Sequence, residues 1–219
     1  MVTRTKSFQF KGPAGIVDCA LDWPDTPLIG WALVLHPHPL HGGTRDNKVV
    51  TTIARACTDH GLLVVRPNFR GVGSSEGEFD NGVGETNDME ALLQHVQATY
   101  PDVAKLPWVL AGFSFGTAVA ARLDQRLRNQ QSDSLPLTRI LVGTAAQRFS
   151  ADENIQLPAD TLLIHGETDE VISLDEVMNF AREQQLPLTV IPDSTHFFHG
   201  KLLVLRDLVT QRLAALTFN

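Results

Sequence analysis

The sequence predicts one α/β domain over residues 1–219: a doubly wound, mostly parallel sheet with an N-terminal antiparallel hairpin and no cap domain. Three observations carry that expectation. Short apolar runs of strand type alternate with stretches of helical periodicity along the whole chain. One such run, Leu62-Leu63-Val64-Val65, is apolar at every position, as strands covered on both faces are. Another, residues 106–111, leads through Gly112-Phe113-Ser114-Phe115-Gly116 into the helix-forming stretch 117–123, a strand–turn–helix signature.

Taken in order, residues 8–10 and 16–21 flank Lys11-Gly12-Pro13-Ala14-Gly15 and read as a hairpin. A strand over 31–35 follows. The next helix covers 47–60, stopped by Gly61, with Val49, Ile53 and Cys57 on its apolar side. After the strand 62–65, a helix is expected to begin near Asn87, which has capping-box spacing with Glu90, and to end before Pro101. A polar loop at 129–134 closes the helix after Ser114. Strands are expected at 139–143, 161–164 and 188–192, with a helix near 173–182 between the last two. The final helix carries Leu202, Leu205, Leu208, Val209, Leu213 and Leu216 at helical spacing, which reads as a core-packing stripe.

Composition narrows the function. A net charge of −7, with no basic run, argues against a nucleic-acid partner. No apolar run is long enough to span a bilayer, and Met1-Val2-Thr3-Arg4-Thr5-Lys6 lacks a following apolar stretch of the signal-peptide kind. A cytoplasmic location is therefore expected. Cys19 and Cys57, the two cysteines, read as small buried hydrophobes rather than a disulfide framework.

Ser114 stands on a turn that must be sharp, because the strand ends and the helix begins around it. Glycines two before and two after are required where a Cβ would crowd helix against strand. A serine hydroxyl is a weak nucleophile at neutral pH and needs an imidazole, which in turn needs a carboxylate. Where this turn occurs, the chain order is Ser, then Asp or Glu, then His. Asp169 follows the apolar run 161–164, and His196 follows 188–192. Loops after parallel strands open at one sheet edge, so both candidates can meet Ser114 there. Asp169 could instead cap the helix near 173–182. Asp193 is the competing acid, but with Ser194 and Thr195 it reads as a local turn. His199 competes as base from the start of the last helix. His165, at a strand end, reads as a satisfied core histidine.

These motifs together resemble the α/β-hydrolases, in particular the small lidless bacterial serine hydrolases related to the dienelactone-hydrolase group. Trp31-Ala32-Leu33-Val34-Leu35-His36-Pro37-His38-Pro39-Leu40-His41-Gly42-Gly43 resembles the family's third strand and oxyanion loop. Arg70-Gly71-Val72-Gly73-Ser74-Ser75 resembles its Arg-Gly-x-Gly-x-Ser loop, His165-Gly166 with Asp169 its acid segment, and His196-Phe197-Phe198-His199-Gly200 its base segment. The resemblance implies a two-donor oxyanion hole. Phe115 N–H is expected to be one donor, helped by the helix N-terminus. Pro37 stands where many relatives have glycine, and proline has no N–H. The second donor is therefore His38 or Leu40, with His38 favoured by register. Relatives with a cap insert it after the strand equivalent to 139–143; here only 144–159 intervene, too few for a helical lid.

Two other classes compete. His36, His38 and His41 have His-x-His-x-x-His spacing, as in metal-dependent hydrolases, but Leu40 stands where an Asp is expected before the last His. A non-catalytic binding member of the fold would lack a member of the Ser, Asp, His set, and none is missing. The favoured reading is a serine hydrolase of esters with small to medium acyl groups, needing no metal or organic cofactor, its partner a small-molecule ester. Thioesterase and peptidase chemistry share the same machinery. The acidic stretch Glu76, Glu78 and Asp80 reads as a solvated rim.

Overall fold

A computed structural model describes residues 4–149 and 155–218. In chain order the elements are β1 (Arg4–Gly12), β2 (Gly15–Trp23), β3 (Gly30–Leu35), α1 (Lys48–Asp59), β4 (Leu62–Pro67), α2 (Val83–Thr99), α3 (Pro101–Ala104) and β5 (Trp108–Phe113). They continue with α4 (Phe115–Asn129), β6 (Thr138–Val142), α5 (Ala146–Phe149), β7 (Thr161–Gly166), α6 (Leu174–Gln184), β8 (Leu188–Ile191) and α7 (Leu202–Ala214). The eight strands form one sheet in the order β1-β2-β4-β3-β5-β6-β7-β8. β1, β2 and β4 pair antiparallel, and every neighbouring pair from β4 to β8 is parallel.

The all-apolar strands are explained by the two layers that cover them. Leu33, Leu35, Leu63, Val65, Leu110 and Leu141 face a core that includes Met89 and Leu92 of α2 and Val119 and Leu123 of α4. Their sequence neighbours Val34, Val64, Val109 and Ile140 face the opposite core, against Ile53 and Cys57 of α1 and Leu205, Val209 and Leu213 of α7. Successive strand side chains point to opposite faces, so each residue is buried whichever way it points. The stripe on α7 packs as its spacing implied. Cys19 and Cys57 belong to opposite layers and are both free, and burial pushes the Cys57 thiol up to about 12.

Two boundaries differ from those expected. The hairpin is longer: β1 pairs with β2 from Arg4↔Trp23 to Gly12↔Gly15, turning at Pro13 and Ala14. α2 starts at Val83, four residues before Asn87. Gly82, at φ 88°, is its N-cap, and Glu85 Oε2 accepts the Gly82 N–H at 2.8 Å. Asn87 and Glu90 instead accept hydrogen bonds from Arg126 of α4, at 2.6 and 2.9 Å. α6 is capped by Ser173, whose Oγ accepts the Glu176 N–H at 3.3 Å.

The chain winds left from β3 to β4 and then returns to place β5 on the other flank of β3. A crevice opens at such a reversal, beyond the carboxyl ends of the strands. The loop after β3 and the turn after β5 both border it. β6 ends at Val142 and β7 begins at Thr161, so the four-residue α5 stands where a cap domain would be inserted. No helix of the described residues is long and apolar enough to cross a membrane.

Candidate active site

Ser114 joins β5 to α4 at φ 53° and ψ −122°, a conformation that L-residues rarely adopt. The turn is held from both sides. Ser114 N–H donates to Val142 O at 2.9 Å, and Thr117 N–H donates to Ser114 O at 2.9 Å. A Cβ on Gly112 would lie 2.5 Å from Gly116 O, and one on Gly116 would lie 2.5 Å from Leu35 O. Only glycine lets helix and strand approach this closely.

The structure brings Ser114, Asp169 and His196 together. His196 Nε2 is 3.0 Å from Ser114 Oγ, and His196 Nδ1 is 2.7 Å from Asp169 Oδ2. All three are buried, with Ser114 7% exposed. Asp169 Oδ1 accepts the N–H groups of Val171 and Ile172 at 2.9 and 2.8 Å. Burial alone would raise this carboxyl, but the bonds from His196, Ile172 and Val171 outweigh it and hold Asp169 below its ordinary value. An ionised Asp169 accepts only, so Nδ1 of His196 carries the proton and Nε2 offers its lone pair to the serine. Asp169 does cap local backbone, but that of its own turn; α6 has Ser173.

The competing residues fall elsewhere. Asp193 is exposed at φ 53°, and its N–H donates to Glu167 Oε2 at 2.9 Å. His199 is exposed and lies before α7, which begins at Leu202. His165 is fully buried but only half satisfied. Its Nε2 donates to Ile172 O at 3.0 Å and lies 3.6 Å from Asp169 Oδ2, while Nδ1 has no partner among the described residues. Burial lowers its pKa, so it stays neutral beside the carboxylate.

The loop after β3 divides its histidines by task. His36 donates from Nδ1 to Pro37 O at 2.6 Å and accepts the Phe69 N–H on Nε2 at 2.8 Å. Burial drives its pKa down to about 3. It thus pins the β3 and β4 loops together and has no lone pair left for a metal. Among the described residues no group of three His, Cys, Asp or Glu is placed to hold an ion. His38 begins a one-turn helix over Pro39–His41, and its Nδ1 accepts the Leu40 N–H at 3.2 Å. Burial, and then nearby His41, lower its pKa and keep that nitrogen an acceptor. The Leu40 N–H is therefore occupied, whereas the His38 N–H has no acceptor among the described residues. The Phe115 N–H begins α4, where no carbonyl precedes it in the helix.

Sequence reasoning missed three contributors. Glu170 Oε2 accepts the His196 N–H at 3.2 Å, steadying the base loop. Phe79 and Phe149 pack against His38 and Phe115, with ring centroids 5.4 and 4.9 Å from Phe115 and 4.6 and 5.6 Å from His38. Nothing in their local sequence marks them; Phe79 comes from the loop after β4 and Phe149 from the end of α5.

With this geometry in place, similarity to known proteins is informative. Residues 32–203 match the family model described as an alpha/beta hydrolase domain. An uncharacterized protein of Rickettsia prowazekii is 34% identical over 202 residues, covering 88% of this chain and 82% of its own. Two solved structures share the architecture. An a/b serine hydrolase without lid from Xanthomonas campestris is 37% identical with TM-score 0.84, covering 98% of this chain and 95% of its own. An alpha-beta serine hydrolase homologue from Coxiella burnetii is 33% identical with TM-score 0.82, covering 97% and 99%.

Proposed function

The chain belongs to the α/β-hydrolase family, and from that premise we propose that it is a serine hydrolase of carboxylic esters with small to medium acyl groups. The observation that carries this reading is the continuous relay from Ser114 Oγ through His196 to Asp169, at 3.0 and 2.7 Å. Ser114 attacks the ester carbonyl as His196 Nε2 takes its proton. The resulting imidazolium is stabilised by Asp169 and then protonates the departing alcohol. Water attacks the acyl-enzyme with His196 again as base, releasing the acid and restoring Ser114. Phe115 and His38 N–H groups hold the oxyanion in both steps. His38 is preferred over Leu40 because the Leu40 N–H is already bonded.

The lidless serine hydrolase from Xanthomonas campestris supports the same reading by similarity. A fluorophosphonate probe tests it directly. The folded protein is expected to be labelled once, at Ser114 by peptide mapping, with loss of p-nitrophenyl acetate hydrolysis in proportion to labelling. Unlabelled protein that still hydrolyses the ester, or full activity in Ser114→Ala, would overturn the proposal.

A further inference from the structure

A groove of about 390 Å³ is lined by Pro39 and Leu40 of the loop after β3 and by residues of the loop after β4, among them Gly71, Gly77 and Phe79. This is within the range of small-molecule sites. Leu40 is 69% exposed, a large apolar side chain turned outward one residue from the loop's proline. Phe79 links the groove to the site: it lines the groove while its ring packs against those of His38 and Phe115, the two residues proposed above to hold the oxyanion.

Sheet order gives the groove a side. Ser114 follows β5; His196 and Asp169 follow β8 and β7, to one flank; the groove is built from loops after β3 and β4, to the other. The leaving oxygen must lie near His196 Nε2 to be protonated. The acyl substituent therefore points toward the opposite flank. We propose that this groove is the acyl subsite, that it takes uncharged apolar acyl chains, and that Phe79 sets the length it accepts. The assignment of the acyl side rests on the serine-hydrolase reading.

Charge excludes anionic acyl groups. Arg70, the cation in the wall, is bonded to Asp88 at 2.8 and 2.9 Å and lies 3.9 Å from Asp80. Glu78 adds a further negative charge to the lining. A carboxylate or phosphate entering here would meet a neutralised guanidinium and exposed acids.

The test uses two variants that change the wall in opposite directions. Active-site concentration is titrated by fluorophosphonate, and kcat/KM is measured for p-nitrophenyl acetate and octanoate. Phe79→Ala should raise the octanoate-to-acetate ratio at least about fivefold, and Phe79→Trp should lower it. Ratios within twofold of the parent in both variants would overturn the subsite. A second arm needs no catalysis: N-methyloctanamide is titrated into Ser114→Ala while backbone amide NMR signals are followed. Shifts at Leu40, Gly71, Gly77 and Phe79 support the groove even if the hydrolase reading fails. Saturable binding that leaves those signals still, or no binding at all, overturns it, as does equal binding of octanedioate monoanion.

Discussion

Asp169 meets His196 through one oxygen only: Oδ2 lies 2.7 Å from Nδ1, while Oδ1 is held by the N–H groups of Val171 and Ile172. The carboxylate is thus fixed by its own turn before it touches the imidazole. In Asp169→Asn the amide oxygen stays with those two backbone donors, because the NH2 group would oppose them. The NH2 group then faces His196 and forces the proton from Nδ1 to Nε2. We expect kcat to fall by about 10⁴-fold with the fold intact, as wrong-tautomer variants do. Steady-state kinetics with circular dichroism checks this; a loss under tenfold would rule out the tautomer role.

Ser114 holds a backbone conformation that suits glycine. Ser114→Ala and Ser114→Gly should both lose on the order of 10³-fold or more in rate. They should differ in stability. Strain relief of roughly 1–3 kcal/mol, reduced by the roughly 0.5–1 kcal/mol entropic cost of glycine, leaves the glycine variant about 1 kcal/mol more stable than the alanine one. Urea unfolding of the pair measures it, and equal midpoints would count against strain at this turn.

His38 supports its own loop by accepting the Leu40 N–H. His38→Ala removes that acceptor and the ring contacts to Phe79 and Phe115, and should lower kcat by about 10- to 100-fold, part of the value of one oxyanion donor. His38→Asn keeps a short-range acceptor and should recover part of the loss. Equal activities for the two variants would show that the turn bond does not position the donor.

His36 links acidity to stability. Its pKa falls on folding from the ordinary 6.5 to about 3, so the unfolded chain takes up a proton that the folded chain refuses. Above about pH 6.5 the group contributes nothing; from there toward pH 3 stability is lost by at most about 1.4 kcal/mol per pH unit. His36→Gln cannot titrate and should lack this component. The stability difference between parent and variant, from urea unfolding at pH 7.5, 5.5 and 4.5, should shift steadily in the variant's favour. A pH-independent difference would contradict it.

Much of this architecture was legible because the central parallel strands are largely apolar and the chemistry-bearing residues follow them directly. Leu62–Val65 and the run before Ser114 announce burial on two faces. Asp169 and His196 are each a few residues beyond such a run. The start of α2 was not legible: glycine is a weaker N-cap signal than asparagine, and Glu85 does its capping from inside the helix. Asn87 and Glu90 carry the stronger local signature, yet bond to Arg126 across a helix interface. The edge strand β1 was underestimated because its first residues are polar and most of its described side chains are exposed, Phe10 alone among them being buried. The proposed preference for His38 over Leu40 rests on where a single ring nitrogen points, which spacing does not encode. Phe79 and Phe149 are site neighbours only through long-range folding.

β8 is the last strand of the sheet and pairs on one side alone, with β7. The loop bearing His196 hangs from that margin, while Ser114 is anchored at the centre. Fraying of four residues at the periphery is therefore enough to disconnect His196 from Ser114, with the bulk of the fold still in place. On gentle heating, catalytic competence should fade before global melting begins.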